Sequence, residues 1–196
     1  MKPSRPPIAR ATVLLALAAL VGPGALGCYT VAFHPLPDQY AGVPIDARAA
    51  LFIPEEVSGA SHSFRHLDFR IARRWTVPYG QRIGEFAVKT LEAAFRELRP
   101  ASAPDQVGDS DLLVRLVSAD FELSGQSAIV SLHVDARGAE GDELFAKEYN
   151  ARGSSGFGAV QGEGTFAKKG VIRSSTDEAL RVIFGNLLTD LRSALR

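Results

Sequence analysis

The sequence predicts an α+β fold, a mainly antiparallel sheet of about four to five strands with two amphipathic helices packed on one face. Three observations carry this. Ile83, Phe86, Ala87, Leu91, Ala94, Phe95 and Leu98 recur at three- and four-residue spacing, the stripe of a helix with one buried side. Residues 111–152 alternate apolar and polar side chains, the two-residue period of half-buried strands. Leu180, Ile183, Phe184, Leu187, Leu188, Leu191 and Leu195 then repeat the helical stripe up to the last residues.

Ahead of these elements, Lys2, Arg5 and Arg10 precede the apolar run from Ala11 to Val21, and Gly22, Pro23 and Gly24 end it. This is the order of an export signal. The run is far shorter than the roughly 20 residues needed to cross the hydrocarbon core, so it reads as cleaved rather than spanning. Ala25, Leu26, Gly27 and Cys28 resemble a lipobox, the small or apolar residues before the cysteine that receives lipid in bacterial lipoproteins. Cys28 is the only cysteine and cannot form an internal disulfide, which favours a modification. Cleavage is expected between Gly27 and Cys28, with covalent lipid on Cys28 as the tie to a membrane. Two acyl chains or more hold a protein stably, where one holds it marginally.

Loss of residues 1–27 removes three basic side chains and no acidic one, leaving 19 basic against 22 acidic residues, a net charge of −3. A slightly acidic domain has no global field for nucleic acid, which is excluded as a partner. Residues 28–46, with Pro35, Pro37, Gly42 and Pro44, read as an extended tether, and residues 47–196 as one domain.

Within the domain, Ala47 to Ile53 fits a buried strand and residues 55–64 a loop. Leu67, Phe69, Ile71, Trp75 and Val77 suggest one strand with a single buried face, and Pro78 and Gly80 lead into the first helix. In the stretch 111–123 the buried parity changes near Leu116, which predicts a bulge. Gly138 and Gly141 mark a hairpin turn between strands at 128–136 and 143–152. Residues 153–173 are glycine-rich and read as a long mobile loop, and Ser175 and Glu178 stand at the spacing of a capping box for the closing helix.

Chemistry is sparse, and no cofactor is called for. The stretch from Gly153 to Phe157 imitates a nucleophile elbow but lacks its final glycine, and Gly164 to Gly170 lacks the ending of a phosphate-binding loop. His62 and His66 stand four apart without an acidic third ligand, and Asp109 and Asp111 fit a strand-opening turn better than a calcium loop. Arg65, Arg70, Arg73 and Arg74 are the one local charge concentration. They read first as a solvated strand face with acidic neighbours, and alternatively as a patch for anionic lipid or lipopolysaccharide phosphate. In the predicted loop, Phe157 and Phe166 offer apolar anchors and Lys168 and Lys169 cationic ones for a partner; the competing reading is an edge strand with its aromatics packed inside.

The lipobox, the Val77-Pro78-Tyr79-Gly80 lead into a helix ending near Phe95, the alternating strands from Asp111 to Arg152 and the closing Leu-rich helix together resemble small proteobacterial lipoproteins of the YajG-like kind. Lipopolysaccharide-assembly lipoproteins share the layout. The resemblance implies an outer-membrane lipoprotein without known catalysis, and it carries over no functional residue beyond Cys28. Tyr29 stands where an Asp would commonly retain a lipoprotein at the inner membrane, so an outer-membrane anchor facing the periplasm is expected in a Gram-negative host. The expected function is that of a non-enzymatic envelope protein binding a protein or lipid partner; the alternative is a hydrolase of envelope polymers.

Overall fold

The computed structural model describes residues 28–36, 43–68, 71–125, 127–154 and 165–196. Among them, the strands are β1 (Tyr29–Thr30), β2 (Ile45–Phe52), β3 (His62–Asp68), β4 (Ile71–Val77), β5 (Phe95–Pro100), β6 (Leu112–Ser124), β7 (Ser127–Gly138) and β8 (Glu143–Arg152). The helices are α1 (Glu55–Ser58), α2 (Tyr79–Ala94) and α3 (Thr165–Ala194). A five-stranded sheet runs in the order β5-β2-β6-β7-β8, and a separate three-stranded sheet in the order β1-β4-β3. The α+β class read from the sequence is therefore observed, with β6, β7 and β8 forming an antiparallel meander. The finer pairing adds what periodicity cannot show: β2 lies parallel to both β5 and β6.

The core forms where α2 and α3 cover one face of the large sheet. Ile83, Phe86 and Leu91 of α2, and Leu180, Ile183, Phe184 and Leu187 of α3, meet Leu112, Val114 and Leu116 of β6 and Val130, Leu132 and Val134 of β7, all buried. The Phe86 and Phe184 rings stack between the helices with centroids 6.1 Å apart. The bulge expected near Leu116 is present: the β6–β7 register shifts between Leu116 and Ser118, and Val117 is thrown outward. Asp111, a calcium candidate by sequence, instead closes the turn into β6. Its carboxylate accepts from the Arg48 backbone N–H at 2.7 Å and from Arg48 Nη2 at 3.2 Å.

Four local expectations are corrected. The helix read through Leu98 stops at Ala94, where Phe95 turns extended at φ −103°, ψ 153°. Its backbone finds partners on the open edge of β2, where Ile45 pairs with Phe95 and Ala49 with Leu98, and the apolar spacing had fitted either outcome. The single strand read around 67–77 takes in the end of one hairpin arm and all of the other, since β3 runs from His62, inside the expected loop, to Asp68 and pairs along its length with β4.

The third correction concerns the glycine-rich segment. Residues 165–173 are the first turns of α3, so Ser175 lies inside the helix rather than at its cap. Poor intrinsic propensity is overridden by packing: Val171 and Ile172 are buried, and the buried Ser175 hydroxyl accepts from Ala128 N–H and donates to Gly153 O. That contact brings the helix so close to the end of β8 that a Cβ at Gly153 would sit 1.7 Å from Ser175 O. The glycine is there for close approach.

The fourth is the tether, whose first half is docked. Val31 is fully buried and Leu36 nearly so, and Val31 N–H donates to Thr76 O at 2.9 Å. Arg82 Nη1 donates to His34 O at 2.7 Å and Lys89 Nζ to Leu36 O at 2.5 Å. Residues 37–42 lie outside the described residues.

Arg82 is 1% exposed and binds both oxygens of Asp177 at 2.7 Å, so it joins α2, α3 and the docked segment at once. Removing one partner of a buried pair costs about 3–5 kcal/mol, and the lower end applies because Asp177 keeps 20% of its side-chain exposure. Arg82→Ala is expected to lower unfolding free energy in urea by about 3 kcal/mol and to speed amide exchange in residues 31–36. A loss below about 1 kcal/mol, typical of a surface pair, would contradict this assignment.

Candidate functional site

Cys28 is exposed and stands immediately before β1. Tyr29 pairs with Trp75 and Thr30 with Thr76 in the parallel β1–β4 pair, while Phe64, Ser63 and Arg65 of β3 face Trp75, Thr76 and Arg74. Successive strand residues point to opposite faces. Tyr29, Trp75 and Phe64 accordingly form an inner aromatic row, with centroids 5.7 Å and 5.9 Å apart along it. Thr76 and Ser63 lie on the outer face with their hydroxyls 3.1 Å apart, and Arg74 and Arg65 lie on the same face, both exposed. Cys28 is one step ahead of Tyr29, level with Arg74 in the parallel register.

The inner row is fixed by cations. Arg73, on the opposite side of β4 from Arg74, lies 4.9 Å from the Tyr29 ring centroid and donates to the Tyr29 hydroxyl. Lys169 reaches in from the second turn of α3, its ammonium 4.5 Å from the Tyr29 centroid and 5.8 Å from that of Trp75. Each such contact contributes about 0.5–2 kcal/mol, more when desolvated. The candidates of the sequence reading therefore divide. Arg73 and Lys169 hold β1 in place, whereas Arg65 and Arg74 face each other directly and make no ion pair with any described residue. Lys168 is exposed on α3. Arg70 and Phe157 lie outside the described residues, as does the side chain of Phe166.

A second feature is a shallow groove of about 280 Å³ between β8 and α3, lined by Lys147, Tyr149, Asn186, Thr189 and Asp190 among others. The Tyr149 hydroxyl and Lys147 Nζ both donate to Asp190 Oδ2, each at 2.7 Å. Burial, then the bond to Asp190, pushes the Tyr149 phenol far above its ordinary range. The hydrogen bonds from Lys147 and Tyr149 hold Asp190 below the usual carboxylate range. General acid–base work needs a group that exchanges its proton near working pH, and both of these move away from it. The three side chains clip β8 to the helix.

Asp135 escaped the sequence reading, and His62, weighed there as a metal ligand, is placed elsewhere. Asp135, 3% exposed on the sheet face opposite the helices, accepts from Arg115 Nη2 and, at 3.3 Å, from Arg137 Nε. Its polar parity was legible, but its burial comes from the arginines folded over it. His62 packs between Phe64 and Phe121, at 6.0 Å and 5.4 Å between centroids. No trio of His, Cys, Asp or Glu among the described residues is placed to hold a metal ion.

No family model and no curated protein matches the chain. Among solved structures, a Xanthomonas campestris protein of the DUF330 family is similar at 9% identity and a TM-score of 0.48, covering 87% of this chain and 99% of its own. A hypothetical protein from Chlamydia trachomatis is similar at 9% identity and a TM-score of 0.40, covering 76% of this chain and 99% of its own.

Asp190 yields a pH prediction. A carboxylate whose folded pKa is depressed adds stability that is complete above its unfolded pKa and is lost as pH falls through the folded value. Asp190→Asn should therefore flatten the fall in melting temperature below the ordinary carboxylate range, starting from a lower plateau at neutral pH. Parallel acid limbs in mutant and wild type would count against the clip.

Proposed function

We propose that this chain is a lipid-anchored protein of the bacterial cell envelope, cut before Cys28, whose domain acts by binding rather than by catalysis. The observation that carries the reading is the position of Cys28. The one thiol of the chain is exposed at the start of the folded domain, directly after a stretch with the order of an export signal and a lipobox. Tyr29 is a strand residue held by two cations, so the ordered packing of the described residues starts directly behind Cys28. The resemblance to YajG-like lipoproteins supports the same address, an outer membrane with the domain in the periplasm. No helix among the described residues is long and apolar enough to cross a membrane. A hydrolase reading gains nothing from the Lys147, Tyr149 and Asp190 trio of the β8–α3 groove, whose members are engaged with one another.

Expression of the full precursor in a Gram-negative host with a clickable fatty-acid analogue tests this. Wild type should take up label and sediment with membranes, whereas Cys28→Ser should take up none and accumulate as precursor or soluble protein. Equal labelling of the two would overturn the reading.

A further inference from the structure

We propose that the outer face of the three-stranded sheet lies against the membrane, with Arg65 and Arg74 binding the phosphates of anionic lipid headgroups. The proposal rests on the lipid-anchored reading and adds which surface meets the membrane. Its first ground is the lack of slack at the anchor. With Val31 and Leu36 buried and Tyr29 and Thr30 in a strand, the lipid on Cys28 emerges one residue from the sheet. Strands lie roughly 5 Å apart, which puts Arg74 one strand and Arg65 two strands from the row of Cys28, about 10 Å across. A surface that close to the acyl chains sits within the headgroup region.

The second ground is charge. Arg65 and Arg74 are directly paired across β3 and β4, an arrangement that repels unless an anion lies between or beside the two guanidinium groups. Neither has a carboxylate to pair with among the described residues, in contrast to Arg48, Arg82, Arg96, Arg99, Arg115 and Arg137. Planar guanidinium forks match phosphate oxygens two at a time. Thr76 and Ser63 next to them offer hydroxyls at the same level, as suits a headgroup layer. Each basic residue near an anionic surface strengthens binding roughly fivefold, and the pair roughly thirtyfold.

Trp75, the only tryptophan of the chain, lies in the same small sheet and reports its distance from the membrane. The lipoprotein, purified after processing, is reconstituted into phosphatidylcholine vesicles with or without phosphatidylglycerol. Energy transfer from Trp75 to a dansyl-headgroup lipid is then measured. Transfer should be stronger in the anionic vesicles, fall on adding salt, and drop to the neutral-vesicle level in Arg65→Gln/Arg74→Gln. The Arg99→Gln variant should behave as wild type. Sedimentation with vesicles at high salt reads the anchor alone, and the double variant should still sediment. Protein that washes off at high salt would overturn the lipid-anchored reading itself. Protein that stays on, with transfer indifferent to lipid charge and to the two glutamines, would overturn the headgroup face and leave a protein partner as the occupant.

Discussion

The guanidinium of Arg82 is the constraint on which the arrangement of this domain depends. It sits on α2 at 1% exposure, and four of its N–H groups are matched: two by Asp177 of α3, one by Glu85 a turn along, and one by the carbonyl of His34. The rings of Phe33 and Phe86 lie 5.0 Å and 5.4 Å from its central carbon. Burial alone would disfavour the charge, but the hydrogen bonds to Asp177 and Glu85 outweigh it, and the net shift of its pKa is upward. A buried charge of this kind is tolerated only when it is paired and hydrogen-bonded, so it specifies the relative position of everything that matches it.

The influence of Arg82 reaches the amino-terminal end of the domain. Because His34 and Leu36 are held to α2, the chain ahead of them is drawn along the edge of β4 and forms β1. Tyr29 then becomes a platform for Arg73 from one element and Lys169 from another, and the exposed Cys28 is left at the margin of the small sheet. Packing inside the domain thus decides where a lipid on that cysteine would emerge, and the same alternation along β4 that turns Arg73 inward turns Arg74 outward beside it.

The large elements were legible because their periods are long and uninterrupted. The stripe from Ile83 to Leu91, the alternation from Ala128 to Ala136, the parity change near Leu116 and the leucines of the last helix each have one structural solution. Phe95 to Pro100 does not, since its apolar spacing suits a helix or a strand and only the vacant edge of β2 selects the strand. The glycines and serines of 165–175 argued against helix locally, and were overridden by the burial of Val171 and Ile172 and by Ser175 meeting Ala128 and Gly153 at the ends of β7 and β8. For the site, the arginine concentration was visible, but its division into an inner and an outer set needed the β3–β4 register. Lys169 was singled out for a loop and acts from a helix, while nothing in the local sequence sets Arg82 apart from the other charged residues of its helix. Its burial depends on Asp177, far off in sequence, which no local pattern shows.

The central claim is that the mature chain begins at a lipid-bearing Cys28 with the folded domain directly behind it. Mass spectrometry of the amino-terminal peptide, from protein extracted from the envelope of a Gram-negative host, measures this most directly. The account predicts a peptide that starts at Cys28 and carries the added mass of a diacylglyceryl group and an amino-terminal acyl chain. A peptide that starts elsewhere, or at an unmodified Cys28, would contradict it.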